Sequence, residues 1–203
     1  TIKPKAIIKK KIKLNYNLTN EISRYDFESY NNSIFAIFFT SGTTGNPKGV
    51  CFSFLSLLRN ALSFNKHMSF THKLRMLHIM PMGYMAGFLN TFLCPLALGG
   101  LIVIDNKFSF SNVFRFWEKS IKYSVNALWL SPSMVSIVTK LTRDKDEVLW
   151  VKNNIAYVLV GTAPLSKQIY LNFLDKFNIC CLESYGMTEA LIISSNTKTH
   201  NSP

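Results

Sequence analysis

At 203 residues, with 48% hydrophobic and 17% charged side chains, the chain is long enough for one domain with a sizeable core and too apolar to be disordered. Its formal charge of +12 suits phosphates or an anionic surface, but Lys, Asn, Ile and Phe are all abundant, as an AT-rich coding sequence would produce, and no nucleic-acid module or aromatic-rich repeat accompanies the charge. Nucleic acid is therefore set aside as a partner, and Cys51, Cys94, Cys180 and Cys181, which have neither CxxC spacing nor a nearby His pair, indicate no disulfide framework and no zinc site and fit a reducing cytoplasm.

The opening segment carries Lys3, Lys5, Lys9, Lys10, Lys11 and Lys13 without a continuous apolar stretch behind them, so it does not read as an export signal. Beyond this irregular stretch, 1–33, the pattern alternates. Apolar runs of strand length occur at 34–39, 76–80, 101–104, 127–130, 156–160 and 179–182, and segments of helical spacing at 54–64, 88–98, 113–121, 134–141 and 167–177. Ser111 is expected to cap the third helix, Ser133 or Pro132 to start the fourth, and Ser166 to cap the fifth, because a hydroxyl or a proline suits the unpaired N–H groups of a first turn. The apolar stretch 88–104 is interrupted by Asn90, Thr91, Pro95, Gly99 and Gly100 and is shorter than the roughly 20 residues a membrane span needs, so it reads as a buried helix, a turn and a buried strand. Strand and helix in alternation predict an α/β fold with a parallel or mixed sheet flanked by helices.

The densest chemistry lies in FFTSGTTGNPKGV, residues 38–50. Thr40, Ser41, Thr43 and Thr44 supply hydroxyls, Gly42, Gly45 and Gly49 free the backbone, and Lys48 supplies a positive charge. Converging N–H groups, hydroxyls and one cation suit polyphosphate better than a plain turn requires. The motif is not a Walker A loop, since Lys48 is followed by Gly49 rather than Ser or Thr. Two further motifs follow: GTAPLS at 161–166 and ESYGMTEA at 183–190.

TSGTTGNPKG resembles the phosphate-loop signature of the adenylate-forming superfamily, which includes acyl-CoA synthetases, peptide-synthetase adenylation domains and firefly luciferase. GTAPLS and ESYGMTEA are similar to two more of its motifs, in the same order, so the resemblance covers about 35–190. It implies that 34–191 is the AMP-binding core region, that 1–33 is the remnant of a preceding subdomain, and that the polar stretch 192–203 is a truncated edge. The small C-terminal domain, with the catalytic lysine of relatives, is then absent, and the chain by itself is expected to bind ATP weakly and form no acyl-adenylate.

By the same resemblance, Thr40, Ser41, Gly42, Thr43, Thr44, Gly45 and Lys48 would hold the phosphates of ATP. Gly161, Thr162, Ala163 and Pro164 would form one wall of the adenine site and Tyr185, Gly186 and Met187 the other, with Glu183 and Ser184 also expected to bind the nucleotide. Thr188 would contact the α-phosphate, and Glu189 with Thr40 would hold Mg²⁺; Lys48, Thr188 and Glu189 are the expected catalytic groups. A flat aromatic beside glycine suits a purine, and a carboxylate beside a hydroxyl suits a metal bound to phosphate oxygens.

HIMPMGYMAGF, 78–88, looks like the family stretch near the acyl pocket, with Tyr84 where histidine is common and Gly83 where an aromatic is common. A strand end packing Met80, Met82 and Met85 into the core is the equal alternative. Tyr84, Met85 and Trp129 are the expected substrate contacts, and with Phe88 they favour a fatty or aryl acid over a charged one. No acidic residue lies between Glu28 and Asp105, which disfavours an α-amino acid. The implied reaction activates a carboxylic acid as its acyl-adenylate and transfers it to coenzyme A or to the phosphopantetheine thiol of an acyl carrier protein. A non-catalytic nucleotide-binding remnant is the competing reading.

Overall fold

Side-chain alternation along short apolar strands generates a sheet with two buried faces in the computed structural model, which describes residues 33–40, 47–109 and 111–199. Six strands take the order β4-β3-β5-β6-β7-β8: β3 is Arg75–His78, β4 Leu101–Ile104, β5 Ala127–Leu130, β6 Tyr157–Val160, β7 Cys181–Met187 and β8 Leu191–Ser195. All neighbours pair in parallel except β7 and β8, which pair antiparallel. A separate antiparallel hairpin joins β1, Ala36–Thr40, to β2, Lys48–Phe52.

Odd and even positions of the central strands feed different cores. Ala127 and Trp129 of β5 join Met76, Leu159 and Leu182 in a core under the first helix, α1 (Phe54–His67). Leu128 and Leu130 join Leu77, Val158 and Val160 in the core under α3 (Phe116–Lys122), α4 (Pro132–Leu141), α5 (Lys145–Asn154) and α6 (Lys167–Phe177). Every residue of β5 is buried, the pattern expected of a parallel strand covered on both faces.

The helix expected at 88–98 is a π-helix, Ala86–Leu93, continued by one α turn, α2 (Cys94–Ala97). Two features fix it. Gly87 sits so close to the chain that a Cβ there would lie 2.0 Å from the Pro81 carbonyl oxygen. Thr91 directs its single hydroxyl proton at the Gly87 carbonyl, 3.0 Å away, so at 2.7 Å His78 Nδ1–H donates to Thr91 Oγ1 and clamps β3 to the π-helix. Burial pushes the His78 imidazole below its ordinary pKa, which keeps it neutral in this role.

Several helix starts differ from expectation. Ser111 does not cap the third helix: its hydroxyl pairs with that of Ser109 at 2.8 Å, and the segment enters through a 3-10 turn, Val113–Arg115, without a side-chain cap. Ser131, not Ser133, caps α4 by accepting from the Met134 N–H, while Pro132 takes the first helical position. Ser166 caps α6 as expected. Helix α5, capped by Asp144, and strands β2 and β8 are not among the expected elements; β8 takes up the first four residues of the polar stretch 192–203.

Because of the contact at Pro81, Gly87→Ala is expected to destabilise the fold by about 1–3 kcal/mol, the usual cost of overpacking, read as a lower midpoint in urea unfolding with an unchanged slope.

Candidate active site

In a parallel sheet the loops that leave the C-terminal strand ends gather at one edge, where ligands bind. Here those loops are the segments after β3, β5, β6 and β7.

The loop after β6 begins with Gly161, whose N–H donates to the Leu130 carbonyl at 3.2 Å. A Cβ on Gly161 would lie 3.3 Å from both the Ser184 carbonyl oxygen and Trp129 Nε1, so glycine lets three strands converge. Thr162 follows with φ +75°, a left-handed conformation that a threonine adopts at a cost. The next turn is fixed by Glu183, whose carboxylate accepts from the Leu165 N–H at 2.8 Å. Glu183 therefore ties the GTAPLS loop to β7.

On β7, Tyr185 and Met187 are exposed, and the pairing with β8 carries a bulge between Tyr185 and Gly186. A Cβ on Gly186 would lie 2.4 Å from the Leu191 carbonyl oxygen, and Leu191 itself has φ +62°. This is the geometry of a tight reversal through Thr188, Glu189 and Ala190. Asn60 on α1 holds the returning strand by donating to the Ile192 carbonyl at 3.0 Å and accepting from its N–H at 3.3 Å.

These elements enclose an open cleft. Gly161, Thr162, Ser184, Tyr185, Gly186, Met187 and Thr188 line one part of it, Met85, Ala86, Asn90 and Trp129 another, and Leu191 and Ile192 complete the wall. The structure thus brings together residues of both late motifs and two of the three expected substrate contacts. Tyr84 lies outside the lining, as do Ala163, Pro164, Glu183 and Glu189. Phe88 packs against Phe35, Phe38 and Phe92, and Met82 is exposed while Met80 is buried.

Thr40 and Lys48 are the last cross-strand pair of the β1–β2 hairpin, with the Thr40 hydroxyl donating to the Lys48 carbonyl at 3.5 Å. They flank the mouth of the phosphate-loop motif. Ser41, Gly42, Thr43, Thr44 and Gly45 lie outside the described residues. Sequence reasoning did not select Ala86, Asn90, Leu191 or Ile192 for the site. Asn90 had a signal, a lone amide inside an apolar run.

Residues 7–203 match the AMP-binding enzyme family. The chain belongs to this family. It is 28% identical over 174 residues to the mitochondrial malonate–CoA ligase ACSF3 of Mus musculus, covering 80% of this chain and 29% of the relative. It is 27% identical over 177 residues to 4-coumarate–CoA ligase 1 of Narcissus pseudonarcissus, covering 85% and 31%. The chain therefore spans under a third of the length of these curated relatives. Among solved structures, apo MatB from Rhodopseudomonas palustris superposes with a TM-score of 0.73 at 22% identity over 85% of this chain and 33% of that one. ATP-bound MatB gives 0.70 at 24% identity over 82% and 31%. These likenesses establish the shared α/β fold.

Glu183→Ala would strand the Leu165 N–H and release the GTAPLS loop. A loss of about 1–3 kcal/mol in unfolding free energy is expected, with faster hydrogen exchange at the Leu165 amide relative to the rest of β6 and α6.

Proposed function

We propose that this chain supplies the ATP- and acyl-binding part of an AMP-forming carboxylate–CoA ligase. The observation that carries the reading is the single cleft shared by Gly161 and Thr162 on one loop, Ser184 to Thr188 on the next, and Met85 and Trp129 from two other elements. It fits a planar base and an acyl group approaching from different sides.

In this reading Tyr185, exposed beside Gly186, offers its ring to adenine, and Gly161 lets the base approach the backbone. Lys48 stands at the end of the hairpin with its charge exposed, where it meets the β- and γ-phosphates. The carboxylate oxygen of the acid attacks the α-phosphorus, the bond to the bridging oxygen breaks, and pyrophosphate leaves with the electron pair. In the second step a thiol sulfur attacks the acyl carbon, AMP departs, and the thiol proton is released. Alignment of the two reactants and electrostatic stabilisation of the leaving phosphates supply the rate. Coenzyme A is favoured over a carrier-protein thiol as acceptor because the relatives found are named as CoA ligases.

Mg²⁺ fits the residues present. No group of three or more His, Cys, Asp or Glu among the described residues would hold a metal alone. Mg²⁺ bound to nucleotides, however, needs only one or two carboxylates besides the phosphates and water. Glu189 provides one exposed carboxylate next to Thr188 in the turn at the cleft, and Thr40 a hydroxyl at the hairpin end. When bound, the ion neutralises charge on the phosphate oxygens.

Acid-dependent exchange of pyrophosphate into ATP by the full-length protein tests the reading. Glu189→Gln should lower that exchange by about 10-fold to 100-fold or more through loss of a metal ligand, and added Mg²⁺ should partly restore it. Exchange that is insensitive to the substitution would remove Glu189 from the metal site; absence of exchange with every acid would sink the adenylation reading.

A further inference from the structure

We propose that the acyl end of the cleft is built for a carboxylic acid carrying an uncharged hydroxyl group, held between Asn90 Oδ1 and Trp129 Nε1. The inference rests on the adenylation reading above and names the class of acid it acts on.

Asn90 is 7% exposed on the π-helix and Trp129 is 2% exposed on β5, and both line the cleft. Neither Asn90 Oδ1 nor Trp129 Nε1 has a hydrogen-bond partner among the described residues. Buried polar atoms are almost always paired, and an unpaired one is destabilising, so each orphan asks for an explanation. Only four such side-chain atoms occur among the described residues, and two of them, from different elements, belong to residues of this one cleft. Gly161 packs against the indole edge, where a Cβ would lie 3.3 Å from Nε1.

The pair is one acceptor and one donor. An indole N–H can only donate, and an amide oxygen can only accept. A hydroxyl satisfies both, donating its proton to Asn90 Oδ1 and accepting from Trp129 Nε1–H through an oxygen lone pair. The alternatives each leave a fault. A hydrocarbon tail buries both atoms unpaired. A second carboxylate suits the indole, but no charged side chain among the described residues lines the cleft to neutralise it. An ammonium suits the amide oxygen but abuts the indole N–H. The site therefore departs from the fatty-acid expectation raised by its apolar neighbours, and equally from the dicarboxylic acid named for the malonate–CoA ligase relative.

The test uses the full-length protein and matched acids in the pyrophosphate-exchange assay: hydroxycinnamate against cinnamate, hydroxyhexanoate against hexanoate, and hexanedioate as the charged counterpart. In at least one pair the hydroxy acid should be favoured by about 100-fold or more in kcat/KM, because a site that bonds a hydroxyl rejects the analogue lacking it. Asn90→Leu and Trp129→Phe, which keep apolar bulk, should each bring that ratio towards unity by lowering turnover of the hydroxy acid more than that of the deoxy acid. A role confined to structure would lower both acids in parallel and leave the ratio intact. Equal use of both members of each pair, preference for hexanedioate, or a ratio unmoved in both variants overturns the inference while leaving adenylation standing. No exchange with any of these acids overturns this inference, whereas the adenylation reading falls only if no acid at all supports exchange.

Discussion

Strand β5 has no face open to water, and most of the architecture follows from that constraint. Its four residues are completely buried, with Ala127 and Trp129 turned to one core and Leu128 and Leu130 to the other. Parallel neighbours satisfy its backbone on both edges, so its polar work is confined to the strand end, where Ser131 caps α4 and the Leu130 carbonyl receives Gly161 N–H. Trp129 belongs to both worlds. Its ring packs 5.6 Å from Phe64 of α1, centroid to centroid, and the same side chain forms part of the cleft wall. Rigid seating of the wall is thus inherited from the core and does not depend on loops holding themselves in place.

The backbone around the cleft is held in conformations it would not choose alone. Thr162 and Leu191 are left-handed, and the β7–β8 pairing carries a bulge where Gly186 nearly touches the Leu191 carbonyl. Strained positions of this sort cost on the order of 1–3 kcal/mol each and persist only where their surroundings fix them. The fixing contacts are visible: Glu183 on Leu165 N–H, Asn60 on both backbone groups of Ile192, and Ser195 Oγ on the Glu183 carbonyl at 3.2 Å. Each is worth about 1 kcal/mol. Together they make α1, far away in sequence, a structural support of the turn that bears Thr188 and Glu189.

The α/β class and five of the six sheet strands were legible because they rest on a local signal, runs of branched residues for buried strands. What stayed hidden depends on tertiary context. Helix α5 buries chiefly Val151, and its apolar residues form one short block, 148–151, between charged and amide residues, so its apolar period is faint. Strand β8 is an edge with only three apolar residues, and it exists because β7 and Asn60 give it partners. The π-helix has helical composition but cannot be told from an α-helix by spacing of so few residues; the contact of Gly87 with Pro81 and the His78–Thr91 bond that fix it join segments apart in the chain. Of the cleft, the lining residues Gly161, Thr162 and Ser184 to Thr188 were singled out by their motifs, whereas Asn90 was visible only as an interruption in an apolar run and gained meaning once the π-helix placed it in the same lining as Trp129.

Charge and neutrality are partitioned along the site in a way that suits its chemistry. The charged groups, Lys48 at the hairpin end and Glu189 in the turn, are exposed to solvent. Further in, the lining is uncharged among the described residues. A formal ion placed there would lose hydration without finding a partner, whereas neutral donors and acceptors impose direction at a smaller desolvation cost. The chain can therefore carry a strongly basic composition while its cleft, among the described residues, is lined by neutral groups set by β5 and the π-helix.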